Sequence, residues 1–464
     1  MAFDAKHLLV IGAGISGFAA AKIGRKFGAA VTLSDAKQEK DLAYDFSELR
    51  ALGVTLVFGP QEESLLDGMD LVIVSPAVPV KIPLVQSAYA RGIRVISEVE
   101  LAQELSKSPI YAVTGTNGKT TTVTLLGKLL ETKFGAEKTG VGGNIGVPLS
   151  EEALRVGADG AIAAEISSFQ MEATNYFHPH AAAVLNVTPD HILRHGSMAV
   201  YQAMKERIFA HEGAGDLVVL NYDDEKVRGM AARVPKGAKV LFFSNETELE
   251  EGATVAHGEL VLRTEGREIS FGTVEDLGIK GPHNVSNALA AISLAYFAGC
   301  EPEKMRAVLK DFHGVEHRIE YFATVDSVPY YNDSKATNTD SASKALLTFE
   351  HIILIAGGDD KMTDLTDFMA LVKQRVDEFI LVGAAAMRFR DAAVAAGYPE
   401  DHIYAAGYSM PRAVGFAHAL AHPGQTVLLS PACASFDMYH NMAERGRDFK
   451  RLVGALLEKD GGEA

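Results

Sequence analysis

The chain has 464 residues, 47% of them hydrophobic and 22% charged, and a formal net charge of −16. This is ordinary globular composition, long enough for two to four domains with full cores, and its acidity argues against nucleic acid as the main partner. Two cysteines, Cys300 and Cys433, give neither a disulfide framework nor a metal cluster, which suits a reducing compartment. No apolar run reaches membrane-spanning length. Gly12, Gly14 and Gly17 interrupt the first apolar run and an orderly pattern continues past it, so the N-terminus reads as folded and the location as cytoplasmic.

Residues 1–108 alternate strand-like runs (Leu8–Ile11, Val31–Leu33, Val54–Phe58, Leu71–Val74 and Ile93–Ile96) with helical segments. That alternation predicts a parallel sheet with flanking helices, a Rossmann-like α/β domain. Gly12-Ala13-Gly14-Ile15-Ser16-Gly17 follows the first strand, and Asp35 ends the second, eighteen positions after Gly17. The pattern fits a dinucleotide fingerprint with the acid on a ribose hydroxyl. By itself it serves an NAD-dependent dehydrogenase as well as any other nucleotide binder, or a glycine turn needed only for helix–sheet packing. The polar stretch Ser106 to Pro109 reads as a linker.

Residues 109–313 begin again with strand, turn and helix. Val113-Thr114-Gly115-Thr116-Asn117-Gly118-Lys119-Thr120-Thr121 follows an apolar run and opens into a helical segment, Val123 to Leu130. Such a turn aims backbone N–H groups and a helix N-terminus at phosphate; the lysine adds a full charge and the following threonine a Mg²⁺ ligand. Val113 stands where the usual P-loop spacing has its first glycine, and a tight turn with a solvated lysine is the plain alternative. Buried strands are expected at Ala161–Ile166, Ala181–Val187 and Leu217–Leu220. A small antiparallel patch follows at about 252–273, then an alanine-rich helix from Asn284 to Ala298. Residues 314–464 form a third α/β unit with strands at Ile352–Ile355, Phe379–Val382, Ile403–Ala405 and Val427–Leu429.

Single residues are ambiguous. Glu165 at a strand end is a metal ligand or a capping carboxylate. His191 and Lys205 alone read as ordinary histidine and helix lysine. Asn284 and Asn287 share a helix face and suit a base or a helix cap. Arg318 suits a phosphate or a surface ion pair.

Taken together, the phosphate turn, Gly142-Gly143-Asn144-Ile145-Gly146, Glu165-Ile166-Ser167-Ser168-Phe169-Gln170, Asn186-Val187-Thr188-Pro189-Asp190-His191, Gly281-Pro282-His283-Asn284 and His317-Arg318 resemble the Mur ligase family of ATP-dependent amide ligases. The likeness runs in order through essentially the whole chain. Asn332 to Asn338 and Leu429 to Ser435 are most similar to the members that add D-glutamate to UDP-N-acetylmuramoyl-L-alanine.

The resemblance implies three α/β domains: a Rossmann-like UDP-sugar domain (1–108), a central P-loop ATPase-like domain (109–313) and a Rossmann-like amino-acid domain (314–464). It implies an acyl phosphate made from ATP and attacked by an amine. Gly115, Thr116, Asn117, Gly118, Lys119, Thr120 and Thr121, with Asn284, Asn287, Arg318, Asp333 and Lys335, would serve ATP. The first glycine turn would take uridine diphosphate in place of NAD, through Ile15, Ser16, Asp35, Ser75, Asn144, Ser167 and Gln170. Thr120, Glu165, His191 and Lys205 would hold two Mg²⁺ ions, Lys205 as a carbamate formed with CO₂; Lys119, Glu165, His191 and Lys205 form the catalytic set. Thr337, Lys361, Ser435 and Phe436 would form the amino-acid pocket, with Met442 as a further wall. A monomer is expected. Leu193, Asp360 and Met362 depart from the family pattern. The rivals are a sister ligase or folylpolyglutamate synthase with another amino acid and, from another class, the dehydrogenase.

Overall fold

The computed structural model describes residues 4–42, 44–360 and 362–460. They form three sheets. The first contains β1 (His7–Ile11), β2 (Ala30–Asp35), β3 (Thr55–Phe58), β4 (Leu71–Val74) and β5 (Arg94–Ser97), all parallel in the order β3-β2-β1-β4-β5. The reason for that arrangement is legible in β1. Leu8 and Val10 enter one apolar cluster while Leu9 and Ile11 enter another, so the strand is buried on both faces and needs helices on each. The strand order reverses at β1, which puts the glycine turn at a topological switch point.

The second sheet contains β6 (Ile110–Thr114), β7 (Thr139–Gly143), β8 (Ala161–Glu165), β9 (Ala181–Val184), β10 (Leu217–Asn221), β11 (Lys239–Ser244), β12 (Gly252–Ala256), β13 (Glu259–Thr264) and β14 (Arg267–Thr273). Its order is β14-β13-β12-β11-β10-β9-β6-β8-β7. The expected antiparallel patch is β12 to β14. β6 lies between β8 and β9, parallel to both, so the phosphate turn also leaves a switch point. β7 escaped the sequence reading because three of its five residues are glycine. Gly140 and Gly142 are needed there: a Cβ on either would press on Glu152, and on Gly142 also on the Val147 carbonyl.

The third sheet contains β15 (Glu320–Val325), β16 (Val328–Asn332), β17 (Ile352–Gly357), β18 (Val376–Val382), β19 (Ile403–Gly407) and β20 (Thr426–Leu429), ordered β15-β16-β20-β17-β18-β19. Alternate residues of β17 again divide between two cores. The antiparallel hairpin β15–β16 was not expected. Its two turn residues, Asp326 and Ser327, both take positive φ (48° and 65°) without the Asn-Gly or Asp-Gly pair that usually signals such a turn. Pro329 also sits inside β16, where proline argues against a strand.

The chain separates into two compact units. One comprises 1–277 and 285–310 and carries the first two sheets; the other comprises 278–284 and 311–464 and carries the third. Among the described residues no helix is long and apolar enough to cross a membrane.

Candidate active site

The phosphate turn leaves β6 at Thr114 and closes at Gly118, whose φ of 83° places it in the left-handed region just before the helix Lys119–Phe134. Glycine is required twice over: the conformation disfavours a Cβ, and a Cβ would overlap the Asn287 side-chain oxygen. Asn186 holds the turn from the segment after β9, its Oδ1 accepting from Asn117 N at 2.8 Å and its Nδ2 donating to the Asn117 carbonyl at 3.1 Å. Thr116 Oγ1 accepts from Thr188 N at 3.1 Å and lies 3.1 Å from the Tyr201 hydroxyl. Neither Asn186 nor Tyr201 was assigned a role from sequence; the segment Asn186 to His191 was noted only as a pattern.

Two lysines meet on this turn. Lys119 Nζ donates to the carbonyls of Gly115 (2.8 Å) and Thr116 (2.9 Å), and Lys205 Nζ donates to the same Gly115 carbonyl at 2.7 Å. Lys205, on the helix Met198–Glu206, is 1% exposed. Burial pushes its amine well below the ordinary lysine range, the Lys119 charge adds to that, and the charge of Asp190 opposes it. A neutral amine is nucleophilic, which is the state that reaction with CO₂ requires.

Glu165 ends β8 and is 2% exposed. Oε1 accepts from Asn144 Nδ2 at 2.8 Å. Oε2 is buried with no hydrogen-bond partner among the described residues. A buried carboxylate oxygen of that kind calls for a cation, so the donor set here fits Mg²⁺. His191 has a left-handed backbone (φ 53°), its Nε2 lies 3.3 Å from Asp190 Oδ2, and its ring packs on Phe169 with centroids 4.6 Å apart. Leu193, two positions on, is fully exposed.

The glycine turn of the first sheet is built differently. Gly12 (φ 98°) leaves no room for a Cβ because Ser75 and Val78 stand against it, and a Cβ on Gly17 would overlap the Gly12 carbonyl. Asp35 accepts from Ala13 N at 2.8 Å and from Lys37 N at 2.9 Å, so its carboxylate shapes the turn. Ile15 is exposed and Ser16 half-buried at the start of the helix Ile15–Lys26, whose N-cap Gly14 supplies no side-chain cap. Ser75 is buried. Ser167 and Gln170 form a reciprocal capping box on the helix Ser168–Glu172, Ser167 N donating to Gln170 Oε1 at 2.8 Å. Their contacts here are with each other.

In the second unit Asp333, Lys335 and Thr337 follow the carboxyl end of β16, and Ser435 and Phe436 follow that of β20. Asp333 N donates to the Leu429 carbonyl at 2.8 Å, and Asp333 Oδ2 accepts from Ser430 Oγ at 2.8 Å. Burial pushes the Asp333 carboxyl up to about 7, against the pull of its hydrogen bonds and of Arg318. Lys335 N donates to the His317 carbonyl and Thr337 N to that of Lys335. Asn284 Nδ2 donates to the Lys280 carbonyl at 2.8 Å. Ser435 is buried and Phe436 exposed. Lys361 lies outside the described residues. The Asp360 carboxylate is paired with Arg388 Nη1 at 3.0 and 3.1 Å, which offsets the charge that this departure introduces.

Sequence reasoning missed Arg445. It is 2% exposed, and its guanidinium donates to Ser334 Oγ and to the carbonyls of Ser334, Cys433 and Ala434 at 2.8–3.1 Å. It therefore clamps together the two loops that carry Thr337 and Ser435. Nothing marks it in the sequence beyond its place in a long amphipathic helix. Glu316, His317 and Glu320 bring ligand atoms within 4.8 Å of one another. The Lys450 ammonium already lies 2.5 Å from Glu320 and 3.5 Å from Glu316, making the cluster an ion-pair network.

A P-loop with two converging lysines, a strand-end carboxylate with one unpartnered buried oxygen and a second glycine turn on a separate sheet define a nucleotide-dependent α/β enzyme. Three family models match the chain in order: the Mur ligase MurD-like N-terminal domain over residues 6–97, the Mur ligase middle domain over 113–295, and the Mur ligase glutamate ligase domain over 317–433. The chain belongs to the Mur ligase family. It is 45% identical over 455 residues to the UDP-N-acetylmuramoylalanine--D-glutamate ligase of Pelotomaculum thermopropionicum, covering 98% of each chain. It is 42% identical over 454 residues to the ligase of the same name from Caldanaerobacter subterraneus subsp. tengcongensis, covering 98% of this chain and 99% of that one. Among solved structures, the fold matches UDP-N-acetylmuramate-alanine ligase MurC from Thermotoga maritima with a TM-score of 0.58 at 22% identity, covering 97% of this chain and 100% of that one.

Proposed function

We propose that the chain joins D-glutamate to the alanyl carboxyl of UDP-N-acetylmuramoyl-L-alanine, with ATP converted to ADP and phosphate, in the synthesis of peptidoglycan precursors. The observation that carries this is near-complete, two-way coverage by ligases of that name at 42–45% identity, on a chain whose own P-loop gathers two lysine side-chain nitrogens at one carbonyl. The chain is an ADP-forming acid–D-amino-acid ligase, and a dehydrogenase reading of the first glycine turn is set aside.

The chemistry follows from the need for a leaving group. A carboxylate is inert to amines at neutral pH. Transfer of the terminal phosphoryl group makes an acyl phosphate, and attack by the glutamate amine gives a tetrahedral intermediate that expels phosphate. Phosphoryl transfer depends mainly on positioning and on neutralising charge. Lys119 turns from its loop carbonyls to the phosphates, with Gly115 to Thr121 as the cradle. Asn287 beside Gly118, and Asn284, Arg318, Asp333 and Lys335, serve the nucleotide. Magnesium, when bound, supplies positive charge to the phosphoryl oxygens; Thr120 and Glu165 would hold one ion, and His191 with carbamylated Lys205 a second.

The uridine diphosphate end lies on the turn bearing Ile15, Ser16 and Asp35, with Ser75, Asn144, Ser167 and Gln170 serving the acceptor. Thr337, Lys361, Ser435 and Phe436 receive D-glutamate, whose two carboxylates need cations and hydroxyls. Residues 1–108, 109–313 and 314–464 divide these three tasks. The protein works as a cytoplasmic monomer.

Purified protein given ATP and Mg²⁺ should release ADP with D-glutamate and UDP-N-acetylmuramoyl-L-alanine, and not with a panel of other amino acids and acceptors. Faster turnover with another pair overturns the substrate assignment.

A further inference from the structure

Between the two glycine turns of the first unit runs a continuous set of contacts centred on Arg194. The Ser75–Val78 turn, closed by Val78 N to the Ser75 carbonyl at 2.9 Å, is the wall against which Gly12 packs. Arg194 reaches that turn from the second sheet. Its guanidinium donates to the carbonyls of Pro76 (3.2 Å), Ala77 (3.2 Å) and Val78 (3.0 Å). The same guanidinium makes a two-pronged pair with Glu172, Nε to Oε1 at 2.9 Å and Nη2 to Oε2 at 2.8 Å. All three nitrogens of the fork are thus directed at two fixed frames.

One frame is the wall of the first glycine turn; the other side of Arg194 leads to two proposed metal ligands. Glu172 ends the short helix capped by Ser167, two residues past Glu165. Arg194 also stacks over the Phe169 ring at 4.8 Å, and that ring carries the His191 imidazole. The backbone closes the loop: Arg194 N donates to the His191 carbonyl at 3.0 Å. His195, next in the chain, lies 3.0 Å from Ser168 Oγ and 3.6 Å from Glu172, which fixes the far side of the turn. The Arg194 side chain is 18% exposed and that of Glu172 is 9% exposed, so solvent screens the pair only weakly.

We propose that Arg194 is a positioning residue that couples occupancy of the uridine-nucleotide turn to the placement of His191. An anionic nucleotide on the first glycine turn orders Ser75–Val78. The three carbonyls then hold the guanidinium, and the guanidinium holds Phe169 and the 191–195 turn. This rests on the assignment of the uridine end to the first turn and of His191 to a metal. The device would delay assembly of the phosphoryl-transfer site until the acceptor has arrived, limiting wasted ATP hydrolysis. Reciprocity requires that metal binding tighten the acceptor by the same factor.

The test uses the full-length protein, wild type and the variants Arg194→Ala and Arg194→Lys. Half-saturating Mg²⁺ for ADP formation is measured at low and at saturating UDP-N-acetylmuramoyl-L-alanine. Amide hydrogen exchange of residues 190–196 is followed with and without that acceptor, in the absence of ATP. Wild type should show a Mg²⁺ requirement lowered about tenfold by the acceptor, the size typical of allosteric coupling, together with slowed exchange. Both effects should fall to within twofold in Arg194→Ala, with the Michaelis constant for D-glutamate unchanged. Should the alanine variant not fold, Arg194→Lys decides, because one ammonium can pair with Glu172 but cannot span three carbonyls. Equal coupling in variant and wild type overturns the proposal, as does wild type that turns over without any acceptor-dependent protection. Wild type that fails to turn over this acceptor at all refutes the functional assignment instead.

Discussion

The two glycine turns of the first unit share a plan and differ in charge. Each leaves the carboxyl end of the strand at which the sheet order reverses, and each opens a helix. At the first, a built-in anion, Asp35, accepts from the turn's backbone at Ala13 N. At the second, two lysines donate to the turn's backbone at the Gly115 carbonyl, and burial disfavours the charged form of one of them, Lys205. The topology supplies two turns of the same kind; the side chains recruited to each differ, a carboxylate at one and lysines at the other. In the proposed reaction the lysine-bearing turn takes the triphosphate and the turn beside the carboxylate takes the acceptor.

Substitutions can break that contrast. Lys119→Ala should have the largest effect, lowering kcat/KM for ATP on the order of 10²- to 10³-fold, the usual cost of deleting a donor aimed at developing charge. Steady-state ADP release reads it, and an unchanged value would remove the P-loop from the mechanism. Lys205→Met should cost roughly 10²-fold if the lysine supplies a metal ligand, within the same range. It should also alter the pH dependence of stability. The native lysine binds its proton less tightly than the unfolded chain does, so between its depressed pKa and the unfolded value of about 10.4 stability rises with pH. Thermal unfolding of Lys205→Met across that window should lack the corresponding rise.

Asp35→Ala sharpens the comparison from the other side. Losing the acceptor for Ala13 and Lys37 N–H should raise the Michaelis constant for the UDP acceptor about tenfold, equivalent to about 1.4 kcal/mol, the scale of one charged hydrogen bond. The constant for ATP should stay within twofold; equal shifts in both would show that the turns do not act separately. Ser167→Ala should have the smallest effect, about 1 kcal/mol of stability from loss of a helix cap. If acceptor affinity falls much further than stability does, the serine contacts substrate as well as capping its helix.

Much of this was legible in the chain itself. Runs of buried aliphatic residues between helical segments gave β1, β4, β6, β17 and β20, because a parallel strand covered on both faces has no polar positions to interrupt it. Gly12, Gly17, Gly115 and Gly118 were visible as turns because only glycine tolerates those backbone angles and approaches. The hairpin β15–β16 was hidden because Asp326 and Ser327 adopt positive φ against their preference, held by the pairing of the flanking strands. Lys119 could be proposed from its motif, Glu165 from its place at a strand end together with the family resemblance, and Lys205 through that resemblance alone. The orphaned oxygen of Glu165 and the burial of Lys205 could not, since both depend on residues far away in sequence.

By itself the sequence determined the α/β class, the two glycine turns and the residue types available to each, because backbone geometry and hydrophobic period are local properties. Tertiary structure alone decided that Lys119 and Lys205 share one carbonyl, that Asp35 faces its own turn, that Arg445 clamps two loops and that Arg194 bridges two sheets. Those outcomes depend on which side chains burial brings within hydrogen-bonding distance, and burial is set by the packing of whole sheets.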